Sequence, residues 1–182
     1  GLYLQYNKAM TPREAGAVLI AQPLMMAAFS PIVGRLSEKI EPAFLASTGM
    51  GLTGAGLLFF ASIDSNASIS MIVSNLAMIG FGFALFSSPN TNAVMSSVES
   101  RHYGVASGIL STMRTAGQTL SMGISSIMIT FYVGKNRITQ QNLDSFLSCI
   151  RMSFSIFTAL CVIGIFCSLT RGKVHSFDKK SV

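Results

Sequence analysis

Apolar residues occur in five long blocks along the chain, separated by shorter polar segments. These blocks, called spans A to E, cover residues 15–34, 42–61, 69–88, 104–132 and 152–169. An α-helix rises about 1.5 Å per residue, so about 20 residues cross the roughly 30 Å hydrocarbon core of a bilayer. Backbone polar groups cannot stay unpaired in lipid, so each span is predicted to be a helix. The pattern therefore predicts an all-α, polytopic transmembrane helical bundle.

The charged residues lie almost entirely outside the spans. They make up 11% of the 182 residues, against about 25% in an ordinary soluble protein. Spans A, B, C and E contain no Asp, Glu, Lys or Arg, and span D contains one, Arg114. The 13 basic and 7 acidic residues are too few to form the charged surface of a soluble globule. The 50% hydrophobic content also excludes a disordered chain.

The distribution of basic residues predicts how the chain crosses the membrane. Seven lie in the A–B loop, the C–D loop and the C-terminal tail, and five lie on the opposite side. Because Lys and Arg are enriched in cytoplasmic loops, the two loops and the tail, residues 170–182, are predicted to be cytoplasmic. The expected location is the plasma (inner) membrane, in contact with lipid. The net charge of +6 forms no continuous stripe, so nucleic-acid binding is not indicated.

The first residues suggest that the chain belongs to a longer protein. It starts at Gly1 without Met, and GLYLQYN is similar to the last turn of an earlier helix. Span A would otherwise begin on the outer side with no preceding span to bring it there. We therefore expect at least one further span upstream, with residues 1–182 forming an incomplete transmembrane half.

Span D carries a polar stripe. Spacings of 4, 3, 4, 3 and 4 residues place six polar side chains on one face of a helix: Ser107, Ser111, Arg114, Gln118, Ser121 and Ser125. A charge at mid-bilayer costs about 3 kcal/mol, so this face is expected to meet other helices or a water-filled cavity. Alternatively, Arg114 snorkels to the cytoplasmic interface, since residues 115–134 could form a span by themselves. The stripe continues on both sides of Arg114, which favours the cavity.

Glycines recur at spacings typical of helix contacts. Gly104 and Gly108 form a GxxxG pair at the start of span D, and Gly117 follows. Spans B and C carry six further glycines: Gly49, Gly51, Gly54, Gly56, Gly80 and Gly82. Close backbone approach supplies much of the packing between helices in lipid, so these positions are predicted to be packing contacts.

The sequence contains no HExxH, CxxC or phosphate-loop motif. Its two histidines, His102 and His175, lie far apart, and its three cysteines follow no disulfide pattern. We therefore expect no metal, no cofactor and no enzymatic activity. The spans also contain no Asp or Glu, so any carboxylate that carries a proton across the membrane is expected elsewhere in the protein.

One segment reads YLQ, TPREAG, a Pro-containing helix and PIVGRLSEKIEP. Gly34, Leu36 and Lys39 fit the pattern PxxGxLxDRxGxR. The segment thus resembles the corresponding loop of the 14-span drug:proton antiporter branch of the major facilitator superfamily. Glu38 occupies the Asp position, whereas Glu41 departs from the pattern.

The second segment, residues 87–124, is longer and more specific. It resembles PNxxAxM followed, after a short loop, by RGxASGxxxxxRxxGxxxG. The matching residues are Pro89, Asn90, Ala93, Met95, Gly104, Ala106, Ser107, Gly108, Arg114 and Gly117. His102 and Tyr103 stand where Arg is usual.

The resemblance implies that spans A to E are the second to sixth helices of the C-terminal six-helix half. Helices one and four of such a half line the central cavity, which makes Asn75 and Asn90 candidate substrate contacts. Helices two and five meet the N-terminal half, which the resemblance implies as the partner of span D. Candidate substrate or inter-half contacts on span D are Ser111, Arg114 and Gln118, and the candidate conformational loop consists of Gly34, Glu38 and Lys39.

The function implied by the resemblance is proton-coupled export of drugs or other small amphipathic compounds by alternating access. Its partners would be a small-molecule substrate, a proton and the N-terminal half of the same transporter. Two alternatives stay open: an exporter of a specific metabolite or siderophore, and an inactive truncated membrane protein.

Overall fold

The structure, a computed structural model, describes residues 2–37, 39–63, 67–134 and 143–170, and every regular element in these ranges is helical. The seven α-helices are α1 (Leu2–Tyr6), α2 (Pro12–Leu19), α3 (Ala21–Leu36), α4 (Pro42–Ala61), α5 (Ile69–Ser96), α6 (Tyr103–Val133) and α7 (Leu143–Leu169). A single 3-10 turn, Ser100–His102, precedes α6. The predicted all-α class is confirmed.

Four stretches of the described chain are long and apolar enough to cross a membrane. They are Pro12–Leu36, Pro42–Ala61, Ile69–Ser96 and Ser145–Leu169. Helix α6 has 31 residues but is not among the four, because the polar stripe lowers its hydropathy. A transmembrane bundle is thus supported by four helices, and the membrane crossing of α6 stays a prediction.

Span A was expected as one helix, and the structure interrupts its helical pattern only at Ile20, which keeps helical torsion angles. Thr11 caps α2, with its hydroxyl accepting from the Glu14 amide while the Glu14 carboxylate accepts from the Thr11 amide. The helix then ends at Leu19, four residues before Pro23. A proline lacks the N–H that would bond to the carbonyl four residues earlier, and its ring crowds that carbonyl. The interruption between α2 and α3 therefore follows from Pro23.

Two other helices extend beyond the predicted spans. Helix α5 continues from residue 88 to Ser96 because the buried Pro89 is accommodated inside it, where it removes only one backbone hydrogen bond. Helix α7 begins at Leu143 rather than at residue 152, which brings Arg151 into the helix instead of the D–E loop. The Arg151 guanidinium donates to the Ile63 carbonyl from Nε (3.2 Å) and from Nη2 (3.0 Å). A basic side chain of α7 thus caps the chain just after α4.

Helix α5 is the centre of the bundle and packs on both α3 and α4, while α4 also packs on α7. Glycines permit these close approaches. A Cβ at Gly49 would lie 2.5 Å from the Gly82 carbonyl oxygen, and one at Gly82 would lie 2.7 Å from Thr53 Oγ1. A Cβ at Gly80 would overlap the Gln22 carbonyl of α3. Spans B and C therefore do pack through glycines.

Helix α6 lies at the edge of the bundle. Among its described side chains only Ala106 is buried. A Cβ at Gly104, Gly108 or Gly117 would have no described atom within 4 Å outside its own helix. The packing role predicted for these three glycines is therefore not realised within the described chain, because no other described element approaches these positions.

Candidate functional site

Arg114 joins helix α6, which otherwise packs mainly on α7, to the central helix α5. Its Nη2 donates to Ser87 Oγ at 3.0 Å and to Thr91 Oγ1 at 2.8 Å, both on α5. The Thr91 hydroxyl donates in turn to the Ser87 carbonyl at 2.8 Å, which fixes its orientation. We call Arg114, Ser87 and Thr91 the arginine clasp. The guanidinium of Arg114 points across to a neighbouring helix, whereas the orientation of the polar stripe as a whole stays a prediction.

The turn of α5 at residues 87–92 also contacts α3, on a different side of the helix. Ser88 Oγ donates to the Ser30 carbonyl at 3.3 Å, and Asn92 Nδ2 donates to Ser37 Oγ at 2.8 Å. Successive helical residues point about 100° apart. The pairs 87/91 and 88/92 therefore face two different helices, and the segment 87–92 connects α6 with the end of α3.

Gly34 was expected to belong to the candidate conformational loop, and the structure places it elsewhere. Gly34 lies inside α3, which continues to Leu36, and Gly134 is the only described glycine with positive φ. A Cβ at Gly34 would lie 3.2 Å from Ser88 Oγ. The Gly34 carbonyl also accepts from the buried Ser37 hydroxyl at 2.7 Å. Because it has no side chain, Gly34 therefore permits α3 to lie close to α5.

The charged members of the candidate loop are not brought together by the described structure. Lys39 is exposed after the end of α3. Glu38 lies outside the described residues. Their role in a conformational loop stays a prediction.

Two other stripe residues of α6, Ser111 and Gln118, are exposed. Ser111 also borders an open groove along α6 that is lined by Thr112, Thr115 and Thr119. These hydroxyls donate to carbonyls of their own helix, as Thr115 does to Ser111 at 3.0 Å. This face of α6 is therefore polar and exposed to the outside, and its threonine hydroxyls donate to carbonyls of the same helix.

Asn90 lines a cavity at the ends of three helices. The cavity has a volume of about 280 Å³ and lies between α4, α5 and α7, where Met50, Phe86 and Gly164 also border it. Its lining is mainly apolar, and its size lies at the lower end of the range for small-molecule pockets. Asn90 and Arg114 thus belong to different surfaces of the bundle, although both are close to the turn 87–92 of α5.

Asn75 takes part in helix packing. Its side chain is buried, and its Nδ2 donates to the Gly56 carbonyl of α4 at 2.9 Å. A Cβ at Gly56 would overlap Ile79, so the two helices are as close as glycine permits. The amide thus joins α4 to α5 in this structure, and its proposed contact with substrate stays untested.

Replacing Asn75 by Leu is expected to lower the stability of the bundle modestly. Hydrogen bonds between membrane helices contribute about 0.6 kcal/mol on average and up to about 1.7 kcal/mol. The measurement is the thermal unfolding midpoint of the purified protein in detergent, with Ser74→Ala on the exposed neighbouring position as the control. A midpoint equal to that of the control would show that the amide bond contributes nothing.

Among the described residues, no group of three or more His, Cys, Asp or Glu side chains could hold a metal ion. The hydroxyl partners of Arg114 and the Asn92–Ser37 link were missed from the sequence. The signal that could have found them is the run SSPNTN, in which two overlapping i, i+4 pairs of polar residues interrupt an apolar helix.

Comparison with known proteins agrees with this arrangement of apolar helices. The family model described as Major Facilitator Superfamily matches residues 1–180. Riboflavin transporter RibZ of Clostridioides difficile is 24% identical over 163 residues, which are 90% of this chain and 36% of that protein.

Two further relatives have comparable identities. Uncharacterized transporter YebQ of Escherichia coli is 29% identical over 127 residues, which are 70% of this chain and 28% of that protein. Multidrug resistance protein Stp of Mycobacterium tuberculosis is 29% identical over 122 residues, which are 67% of this chain and 22% of that protein. The chain thus spans between 22% and 36% of the length of these relatives.

Proposed function

The chain belongs to the major facilitator superfamily, and on this basis we propose that it supplies C-terminal helices to a proton-coupled exporter of drugs or other small amphipathic compounds. Family membership points to a transporter rather than an enzyme. A relative named as a multidrug resistance protein supports a cargo of foreign compounds. Because the chain spans at most 36% of these relatives, the proposed activity is that of the complete transporter.

The arginine clasp carries this proposal. A charge that is expected at membrane depth is usually functional, because placing it there is costly. Arg114 extends from α6, a helix whose polar face is open, to two hydroxyls of the central helix α5. We propose that this face, with Ser111 and Gln118, borders the substrate path or the N-terminal half. Alternating access would then rock the two halves about a site near the midplane.

The connection between α5 and α3 supports a conformational role for the following loop. Asn92 and Ser88 hold the end of α3, directly before Lys39. We propose that movement of α5 is transmitted to this loop, where Glu38 and Lys39 make alternating charge contacts. In the proposed orientation the loop and the C-terminal tail are cytoplasmic, in a multi-pass protein of the plasma membrane. Proton-carrying carboxylates would belong to other parts of a 14-span transporter.

A second candidate is a transporter dedicated to one metabolite. The observation that favours it is the relation to a protein named as a riboflavin transporter, which extends over 90% of this chain. The two candidates differ in the range of compounds moved.

Efflux measurements on the complete protein test both candidates. Cells are loaded with a panel of lipophilic cations, neutral drugs, amphipathic anions and riboflavin, or inside-out vesicles take these compounds up from the medium, with and without a protonophore. The proposal predicts export of several unrelated compounds that stops when the proton gradient is collapsed. Export of one metabolite alone would favour the second candidate, and no export of any compound would contradict both.

A further inference from the structure

The arginine clasp leaves a positive charge without an acidic partner in the described chain. Both described hydrogen bonds of the Arg114 side chain go to neutral hydroxyls, Ser87 Oγ and Thr91 Oγ1. Between residues 67 and 134 the only acidic residue is Glu99, and its carboxylate pairs with Arg101 at 3.0 Å on an exposed loop. The hydroxyls orient the guanidinium but do not neutralise it.

The clasp also leaves hydrogen-bond donors available. A guanidinium has five N–H groups, and two on Nη2 suffice for Ser87 and Thr91, so Nε and Nη1 have no partner among the described residues. The Ser87 hydroxyl accepts from Arg114, and its own hydrogen has no described acceptor. The Thr91 hydrogen is already used for the Ser87 carbonyl. The Nε–H and Nη1–H groups of Arg114 and the Ser87 hydroxyl hydrogen thus have no acceptor among the described residues.

These donors suit an oxyanion. Charge-assisted hydrogen bonds from a guanidinium to a carboxylate or similar anion are about twice as strong as neutral ones, and either Nε or Nη1 can supply one. Arg114 is exposed on the open side of α6, so a ligand reaches it without displacing a described helix. A lipophilic cation, by contrast, would be repelled by the same charge.

We propose that the arginine clasp is an anion subsite, and that the exported compounds it selects carry a carboxylate or sulfonate on an apolar body. This inference rests on the proposed export function and specifies its substrate class. Arg114 supplies the charge and Ser87 an additional donor, while Thr91 holds the guanidinium in place. A carboxylate side chain from another part of the transporter has the same chemistry, so the experiment must separate the two sources.

Transport of three compounds that share one ring system distinguishes an anionic substrate from a carboxylate of the transporter as the partner of Arg114. The probes are naphthalene-2-sulfonate, the neutral naphthalene-2-sulfonamide and 2-naphthyltrimethylammonium, measured in inside-out vesicles containing the complete protein. The variants are Arg114→Gln, Arg114→Lys and Ser87→Ala, with Arg101→Gln as the control for loss of an exposed charge. Protein amounts are matched between vesicle preparations.

The proposal predicts that the wild type transports the sulfonate in preference to the other two probes. Arg114→Gln should reduce sulfonate transport about 10- to 100-fold, the size expected for loss of a charge-assisted contact, and should change the other probes little. Ser87→Ala should give a smaller loss, Arg114→Lys should retain part of the preference, and Arg101→Gln should have no effect.

Three results would overturn the proposal. One is preference of the wild type for the neutral or cationic probe. Another is an equal loss of all probes in Arg114→Gln, which would assign Arg114 to a carboxylate of the protein itself. The third is failure to move the sulfonate while the lipophilic panel is exported, which rejects the anion subsite and leaves the exporter intact. If the panel is not exported either, the proposed function fails as well.

Discussion

Replacing Gly80 by Ala is expected to destabilise the bundle by about 1–3 kcal/mol, the usual cost of overpacking a close-packed interior. A Cβ at this position would overlap the backbone carbonyl of Gln22, at the contact between α5 and α3. Backbone atoms cannot rotate away as a flexible side chain can, so the two helices would have to separate. Gly49 is in a similar position, since its Cβ would lie 2.7 Å from the Phe86 amide nitrogen.

The measurement is the unfolding midpoint and the monodisperse yield of each purified variant in detergent. Gly51→Ala is the matched control, because a Cβ at Gly51 has no described atom within 4 Å in neighbouring parts of the chain. Alanine favours a helix over glycine by about 1 kcal/mol, so this control should be neutral or slightly stabilised. If Gly80→Ala unfolded at the same temperature as Gly51→Ala, the described contact between α3 and α5 would be wrong.

Replacing Arg114 by Ala is expected to reduce transport by the complete protein about 10- to 100-fold, since each hydrogen bond to a charged group contributes about 1.5–3 kcal/mol. The loss should not come from misfolding, because α6 has only one buried side chain among those described and the bundle centre lies elsewhere. Yield and unfolding midpoint should therefore stay close to those of the wild type.

Initial efflux rates at matched amounts of protein in the membrane check this prediction. Arg101→Ala, which removes a cation from an exposed loop, serves as the control and should transport normally. Transport by Arg114→Ala at the wild-type rate would remove its functional role and leave only the snorkelling interpretation.

Much of the fold could be predicted because membrane crossing depends on the local length of apolar segments. Span B and α4 have the same limits, Pro42 and Ala61. The start of α7 was missed because the segment from Leu143 to Arg151 mixes apolar and polar residues as a loop would. Its apolar side chains are buried by tertiary packing, namely Phe146, Leu147 and Cys149, and Arg151 donates to the Ile63 carbonyl.

The candidate site was predicted only where a local sequence signal marks it. Arg114 could be identified because a lone charge in an apolar block is conspicuous in the sequence. Its partners Ser87 and Thr91 could not, because they lie 27 and 23 residues away and depend on how α5 and α6 cross. Likewise, Gly34 was assigned to a loop from its motif, whereas its closeness to Ser88 is a contact between helices.

The central claim is that Arg114 acts through the hydroxyls of α5. A double-mutant cycle on transport tests it most directly, with Arg114→Ala, the pair Ser87→Ala and Thr91→Val, and their combination. The control cycle combines Arg114→Ala with Asn92→Ala, which faces α3 on the other side of the same turn.

If the arginine clasp works as a unit, the combined variant should transport no worse than Arg114→Ala alone, whereas the losses in the Asn92 cycle should multiply. Independent, multiplying losses in the clasp cycle would contradict the account, because Arg114 would then act without the two hydroxyls that hold it in the structure.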